Sequence, residues 1–463
     1  MNIDVANVIF YHSLIIFGEL VVLLVLMHML YKRRSPSNII AWLLFIVLIP
    51  YIAVIFYFIF GSRKRKNRYK KENIKLQENT HVHSQINPLN EVLRNYGIPD
   101  ATLNEKFELF SDPISAYKEL ISCIENAKTS IFISTYVFNY DDTTKKIIDA
   151  MIKKAKDGVE IKILIDSLGS IELYLFQNRI KELRDAGAKI EFFMPIFRMP
   201  FRNYINLRNH RKIFIFDNIK VLSGGMNISD DYFGETADKT RWEDMLFLVE
   251  GASAEQYFDI FASDWLYASE EQLMFSCDAK ANNTGDTFVQ VVPSGPDISN
   301  DALYETLLSA IYSAKERIWI VTPYFVPDKS IIQALVIAKH KGLDIKLITP
   351  KKTNHRIVNL VRASYMRELK EVGIEVSRYN GAMLHAKAIL FDNSTTMLGS
   401  VNLDNRSLFL NYEVATFVYS DKVTQDIQLW MQRLLSNSSI GTQEVSTIKR
   451  ILENLMRVMA PQL

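Results

Sequence analysis

One polar skeleton, H-x-K-x-x-x-x-D, stands twice in this chain, at His210, Lys212 and Asp217 and again at His385, Lys387 and Asp392. No other feature narrows the possible folds as far. Each copy runs into a short apolar stretch bounded by polar turn residues, Ile213 to Phe216 and Ala388 to Phe391, the pattern of a buried strand. Side chains alternate along a strand, so His210 shares a face with Lys212, and His385 with Lys387. The Asp lies seven positions beyond the His, an odd number, which puts it on the opposite face or in the following turn, bracing the site more than touching substrate. Seventeen residues after each His stands an Asn, Asn227 behind Gly224-Gly225-Met226 and Asn402 behind Gly399-Ser400-Val401. The equal spacing suits a hairpin that returns an amide beside the His–Lys face.

These residue types suit attack on a phosphodiester. A His serves as nucleophile or proton donor near neutral pH, a Lys offers a point charge to phosphate oxygens, and the Asn amide and Gly-flanked N–H groups add neutral donors. One copy is half a site. Two copies supply one His to attack and one to protonate the leaving oxygen. Downstream of each Asn stands an acid, Asp244 and Glu413, each a candidate for orienting a catalytic His or else a surface carboxylate.

The surroundings of the motifs repeat as well. Leu120 to Lys128 followed by Ile131-Phe132-Ile133 answers Leu307 to Lys315 followed by Ile318-Trp319-Ile320, a helix leading into a strand. Ala155 to Ile163 answers Ala338 to Leu347, a helix, a Gly stop and a buried strand. Alternating helices and strands in each half predict two α/β domains related by approximate two-fold symmetry, with one cleft on the axis where His210 and His385 face a single phosphate. The expected division is a membrane hairpin with its basic flank at 1–71, a polar tether at 72–109, domains at 110–278 and 287–435, and a C-terminal helical tail at 436–463. The pattern breaks between the domains at Cys277 to Gly285.

Two apolar stretches, Asn7 to Tyr31 and Ile39 to Phe60, are each about long enough to cross a bilayer as a helix. With no basic leader and a second span following at once, they predict a retained hairpin instead of a cleaved signal. Glu19 inside the first span is costly unless it faces the second helix or water, and Pro50 kinks the second. Residues 1–71 carry ten Lys/Arg against Asp4 and Glu19, a charge of +8, which leaves −6 for the rest of a chain whose net charge is +2. Seven of those bases follow the second span and three lie between the spans, so both the N-terminus and the body are expected in the cytoplasm, at the cell membrane. A mildly acidic body argues against nucleic acid as partner. Cys123 and Cys277 are the only cysteines, too few for a disulfide framework or a Cys-based zinc site. Phe193 to Tyr204 interleaves apolar residues with Arg198 and Arg202 and reads either as a lipid-interface loop or as loop packing. His81, His83, His340 and His355 read as surface residues.

With both motifs in place the chain resembles the phospholipase D superfamily and, more narrowly, the bacterial cardiolipin synthases. The narrower likeness rests on Arg208-Asn209-His210-Arg211-Lys212, Gly224-Gly225-Met226-Asn227-Ile228, Thr322-Pro323-Tyr324-Phe325-Val326-Pro327-Asp328, the run Gly399 to Ser407, Asn411-Tyr412-Glu413, and the hairpin's Ala41-Trp42-Leu43-Leu44. The resemblance implies two phospholipase D-like α/β/α domains forming one cleft. It also implies transfer of a phosphatidyl group from one phosphatidylglycerol to another, giving cardiolipin and glycerol, with no metal or other cofactor. Lys212, Lys387, Asn227 and Asn402 would then hold phosphate oxygens, and His210 would be the nucleophile. The same motifs fit a membrane-bound phospholipase D that transfers to water, a phosphodiester nuclease, or a catalytically silent membrane scaffold.

Overall fold

The computed structural model describes residues 5–31, 36–49, 53–54, 56–57, 71–77, 88–197, 206–276, 285–298, 300–457 and 460. Pro50, the basic run 63–70, His81, His83, residues 198–205 and the expected boundary at 277–284 lie outside the described residues.

The strands are, in chain order, β1 (Thr102–Phe110), β2 (Ser130–Thr135), β3 (Glu160–Asp166), β4 (Lys189–Phe193), β5 (Ile213–Phe216), β6 (Lys220–Gly224), β7 (Leu246–Gly251), β8 (Thr287–Ser294), β9 (Arg317–Val321), β10 (Phe325–Val326), β11 (Asp344–Pro350), β12 (Glu375–Tyr379), β13 (Ala388–Phe391), β14 (Thr395–Gly399), β15 (Leu403–Asp404), β16 (Glu413–Tyr419) and β17 (Ser438–Ile440). All but β10 and β15 join one 15-stranded sheet in the order β17-β12-β11-β9-β13-β14-β16-β8-β1-β7-β6-β5-β2-β3-β4. Read outward from the β8–β1 pair, the two halves have the same order, with β17 added at the edge of the second, so the symmetry foreseen from the repeats is that of a single sheet. The motif strands β5 and β13 begin directly after Lys212 and Lys387 and occupy equivalent places.

The helices that flank the sheet start and stop where local chemistry dictates. Asp112 accepts the N–H groups of Ile114 and Ser115 ahead of Pro113–Asn126, and Asp141 forms a capping box with Thr144 ahead of Asp142–Lys156. Gly158 and Gly342, at φ 90° and 96°, end their helices in the left-handed conformation that a Cβ would disfavour. On one side of the sheet each half packs its own helices. Leu120, Ile124, Ile147 and Met151 are buried in the first half, and Leu307, Ile311, Leu335 and Val361 in the second. On the other side Ser253–Ser269 and Asp421–Ser436 share one core, in which Phe258, Phe261 and Trp265 join Ile427, Trp430 and Met431. The result is a three-layer α/β/α body with a core common to both halves.

Two expected boundaries need correction. Residues 102–109, assigned to a tether, lie in β1, which pairs β7 on one side and β8 on the other and so forms the join between the halves. Its sequence Thr-Leu-Asn-Glu-Lys-Phe-Glu-Leu-Phe hides the alternation because the register shifts between Asn104 and Lys106, a bulge that turns the next side chains over. Within the supposed helical tail, β17 pairs antiparallel with β12 before the helix Thr447–Met456 packs on Arg356–Glu371.

At the N-terminus the helices Val5–Tyr31 and Pro36–Leu48 pack through Val25, Met29, Trp42 and Ile46, with Ala53 and Tyr57 buried against them. His28 Nδ1 lies 2.7 Å from the Tyr57 hydroxyl. Asn7–Tyr31 is long and apolar enough to cross a membrane, with a mean hydropathy of 2.4. Glu19 is exposed on it, not turned onto the second helix.

Candidate active site

A cavity of about 770 Å³ lies between the halves, and His210, His385, Asn227 and Asn402 all line it. Two crossed backbone pairings make this possible. The His210 N–H donates to Tyr412 O at 2.8 Å, and the His385 N–H donates to Glu243 O at 2.7 Å. Each motif segment is thus held by the strand end of the opposite half.

The acids cross in the same way. His210 Nδ1 donates to Glu413 Oε2 at 3.1 Å, and His385 Nδ1 donates to Asp244 Oδ2 at 2.8 Å. Each carboxylate is fully buried and serves the other half's imidazole. Fixing the proton on Nδ1 leaves Nε2 with its lone pair. A Cβ on Gly225 would come within 2.2 Å of Asp244 Oδ1, so the glycine ahead of Asn227 leaves the room this carboxylate occupies. Burial pushes both carboxyls up, but Lys387 and His385 outweigh it at Asp244, and His210 and Lys212 outweigh it at Glu413, so both are held below the usual range.

Lys212 and Lys387 are buried beside the rings. Lys212 Nζ donates to His210 O at 2.9 Å, and Lys387 Nζ lies 2.8 Å from His385 Nδ1 and 3.2 Å from its Nε2. Burial pulls Lys212 down to about 7 and Lys387 down to about 8. Burial and then Lys387 take His385 down to about 3, while burial lowers His210 against the opposing pull of Glu413. The two lysines face two ionised carboxylates, and both imidazoles are held toward the neutral form. A bound phosphodiester anion adds negative charge beside them and raises the affinity of the neighbouring lysines and imidazoles for protons.

Asp217 and Asp392, grouped with the catalytic set in the sequence, do not line the cavity. They occupy left-handed turns at φ 53° and 52°. Asp217 accepts from the N–H groups of Lys128, Thr129 and Ser130, and Asp392 from those of Lys315, Glu316 and Arg317, tying each motif hairpin to the start of β2 or β9. The Asn amides form part of the wall: Asn227 Nδ2 donates to Tyr232 Oη at 3.1 Å and Asn402 Nδ2 to Ser407 Oγ at 3.3 Å.

Sequence reasoning did not find the aromatic wall. The Tyr136 ring lies 4.8 Å from His210, and the Trp242, Tyr232 and Tyr324 rings lie 5.1, 5.4 and 6.3 Å from His385. Nor did it find Asp404, a cavity-lining acid that burial pushes up to about 7. His355, expected on the surface, is exposed but sits at the cavity, 5.7 Å from the Tyr324 ring. Of the Phe193–Tyr204 stretch, Phe193 and Met194 are core residues and Phe197 is exposed, stacked on Tyr174 at 6.0 Å.

A family model described as "Cardiolipin synthase, PLD-like domain" matches residues 120–265 and 307–435, one match in each half. A second, "Phospholipase_D-nuclease N-terminal", matches residues 20–62. Cardiolipin synthase 1 of Bacillus cereus is 32% identical over 461 residues, covering 93% of this chain and 90% of that protein. A cardiolipin synthase of Clostridium perfringens is 30% identical over 455 residues, covering 93% and 95%. Among solved structures, a phosphatidylserine synthase of Haemophilus influenzae has a TM-score of 0.62 at 14% identity, covering 81% of this chain and 100% of that one, a likeness of fold. With one family model matched in both halves and relatives aligned over nine-tenths or more of both chains, the chain belongs to the cardiolipin synthase family, phosphatidyltransferases of the phospholipase D superfamily.

Proposed function

We propose that the protein transfers a phosphatidyl group from one phosphatidylglycerol to the glycerol hydroxyl of another, releasing glycerol and forming cardiolipin through a phosphatidyl-histidine. The observation that carries this reading is the pair of imidazoles on one cavity, each with Nδ1 on a buried carboxylate from the opposite half. Neutral His210 attacks phosphorus through Nε2. The bond from phosphorus to the headgroup glycerol oxygen breaks, and that oxygen takes the proton from His385, protonated once the anionic substrate is bound. The second phosphatidylglycerol then gives its hydroxyl proton to His385 and attacks the phosphorus, which frees His210. Lys212 and Lys387, buried beside the rings and outside the cavity lining, meet the charge that gathers on the phosphate oxygens, and the amides of Asn227 and Asn402 line the cavity itself.

His210 is assigned the attack because it is the more open ring. Its side chain is 12% exposed against 6% for His385, and Lys387 lies across the Nε2 of the latter. One observation favours the reverse assignment: His385 is depressed to about 3 and so is the ring more firmly kept neutral. The hairpin is read as a two-span anchor that holds the body on the cytoplasmic face, where the bases of the run 63–70 meet anionic lipid.

The test is product identity from vesicles of phosphatidylglycerol alone. Cardiolipin and glycerol in equal amounts are expected. Phosphatidic acid and glycerol without cardiolipin mark a hydrolase, and no turnover marks a scaffold.

The depressed lysines make a further prediction. Between pH 7 and 9 Lys212 and Lys387 lose their protons in the empty site, and the anionic substrate must restore them on binding. KM therefore rises with pH over that window, by up to about tenfold per pH unit for each lysine. A KM flat from pH 7 to 9 contradicts this.

A further inference from the structure

Next to His210, but outside the cavity lining, four charged side chains meet in the interior. Lys71 Nζ donates to Asp264 Oδ1 at 2.6 Å and also to Asp297 Oδ2. Arg211 Nη1 donates to the same two oxygens at 2.7 and 3.1 Å, and its Nη2 to Asp297 Oδ1 at 3.1 Å. The Lys71 side chain is 3% exposed and the other three are 0% exposed. Two cations and two carboxylates leave the cluster neutral. Without Lys71 it holds a buried negative charge that Arg211 alone must balance.

Three contacts connect this cluster to His210. Arg211 and Asn209 flank it in sequence, and Asn209 Nδ2 donates to Asp264 Oδ2 at 3.0 Å. Arg211 Nε donates to the backbone oxygen of Glu413, whose carboxylate holds His210 Nδ1. Lys71 also lies 4.9 Å above the Tyr412 ring, and Tyr412 O accepts the His210 N–H. The segment 71–77 that supplies Lys71 is itself fastened to the body. The Ile74 N–H donates to Asp297 O at 3.1 Å, the Gln77 N–H to Asp259 Oδ2 at 2.8 Å, and Leu76 packs against the second half's core and the shared one.

We propose that Lys71, in the segment that follows the hairpin and its basic run, is a positioning residue for His210. It completes the buried charge cluster that holds Asn209, Arg211 and the Glu413 backbone in place, which makes the chain leaving the hairpin a working part of the site. This rests on the reading of His210 as a reacting group.

The experiment compares full-length wild type with Lys71→Met, Lys71→Arg and the double variant Lys71→Met with Asp297→Asn, which is again neutral. Hydrogen exchange is read on the peptide spanning Asn209 to Lys212, and kcat and KM on phosphatidylglycerol vesicles. Lys71→Met should speed exchange there by about tenfold or more, with the rest of the body unchanged. It should lower kcat by about 10- to 100-fold with KM within about twofold, because the ring is misplaced and no substrate contact is lost. Lys71→Arg should restore both readouts, and the double variant part of each. Unchanged exchange in Lys71→Met overturns the proposal, as does faster exchange at wild-type kcat, a general loosening of the whole body, or a defect that Lys71→Arg does not relieve. A wild-type chain that releases no glycerol counts against the proposed reaction instead, and the exchange result then decides the structural role of Lys71 by itself.

Discussion

Replacing His210 or His385 with Ala lowers cardiolipin formation by on the order of 10³-fold or more, and replacing both costs little beyond either alone. The two losses differ in kind. Without His210 nothing attacks phosphorus. Without His385 the attack remains possible, but the departing glycerol oxygen finds no proton, so a leaving group that needs none restores the first step. A phosphatidyl ester of p-nitrophenol should therefore give His385→Ala a burst of p-nitrophenolate near one per chain, and give His210→Ala none. Lys212 and Lys387 stay in both variants, so the phosphate keeps its cationic surroundings and the comparison isolates the imidazoles.

Glu413→Gln and Asp244→Asn each lower kcat by roughly 10²- to 10⁴-fold, the range expected when a catalytic His loses the carboxylate that fixes its tautomer. Each acts across the molecule. Glu413 serves His210, 203 positions away, and Asp244 serves His385, 141 positions away. Glu413→Gln should slow formation of the covalent intermediate with either leaving group. Asp244→Asn should be largely relieved by p-nitrophenol, since it disturbs only the ring that supplies the proton. Equal relief in both variants, or relief in Glu413→Gln alone, counts against the assignment of the two acids to opposite rings. Both variants remove a buried charge whose partner stays, so thermal unfolding is measured alongside to separate lost chemistry from lost structure.

How much of this could be read in the chain follows from the range of each signal. The motifs, their strands Ile213–Phe216 and Ala388–Phe391, and the turns that place Asp217 and Asp392 are local, and residue spacing was enough to locate them. The alternation of helices and strands predicted the two-fold arrangement, because each element carries its own caps and apolar face. Asp244 and Glu413 could be named as candidates, but not matched to their rings. A residue's local pattern carries nothing about a partner that the fold brings in through the backbone pairings of His210 with Tyr412 and His385 with Glu243. β1 escaped notice because a bulge breaks its alternation where the two half-sheets join. Of the aromatic wall, Tyr324 stands in a stretch that carries the resemblance, while Tyr136, Tyr232 and Trp242 have no sequence signal beyond ordinary core-like composition. Lys71 was hidden in a basic run that reads as a membrane flank, although its side chain turns inward to two buried aspartates.

The central claim is that imidazoles from both halves work on one phosphorus atom and that His210 makes the bond. Peptide mass spectrometry of His385→Ala, quenched after the p-nitrophenyl ester burst, tests it most directly. The expected result is a phosphatidyl adduct on His210 and no adduct in His210→Ala. An adduct on His385 in His210→Ala contradicts the assignment, and the absence of an adduct in both variants while wild type turns over contradicts the covalent route.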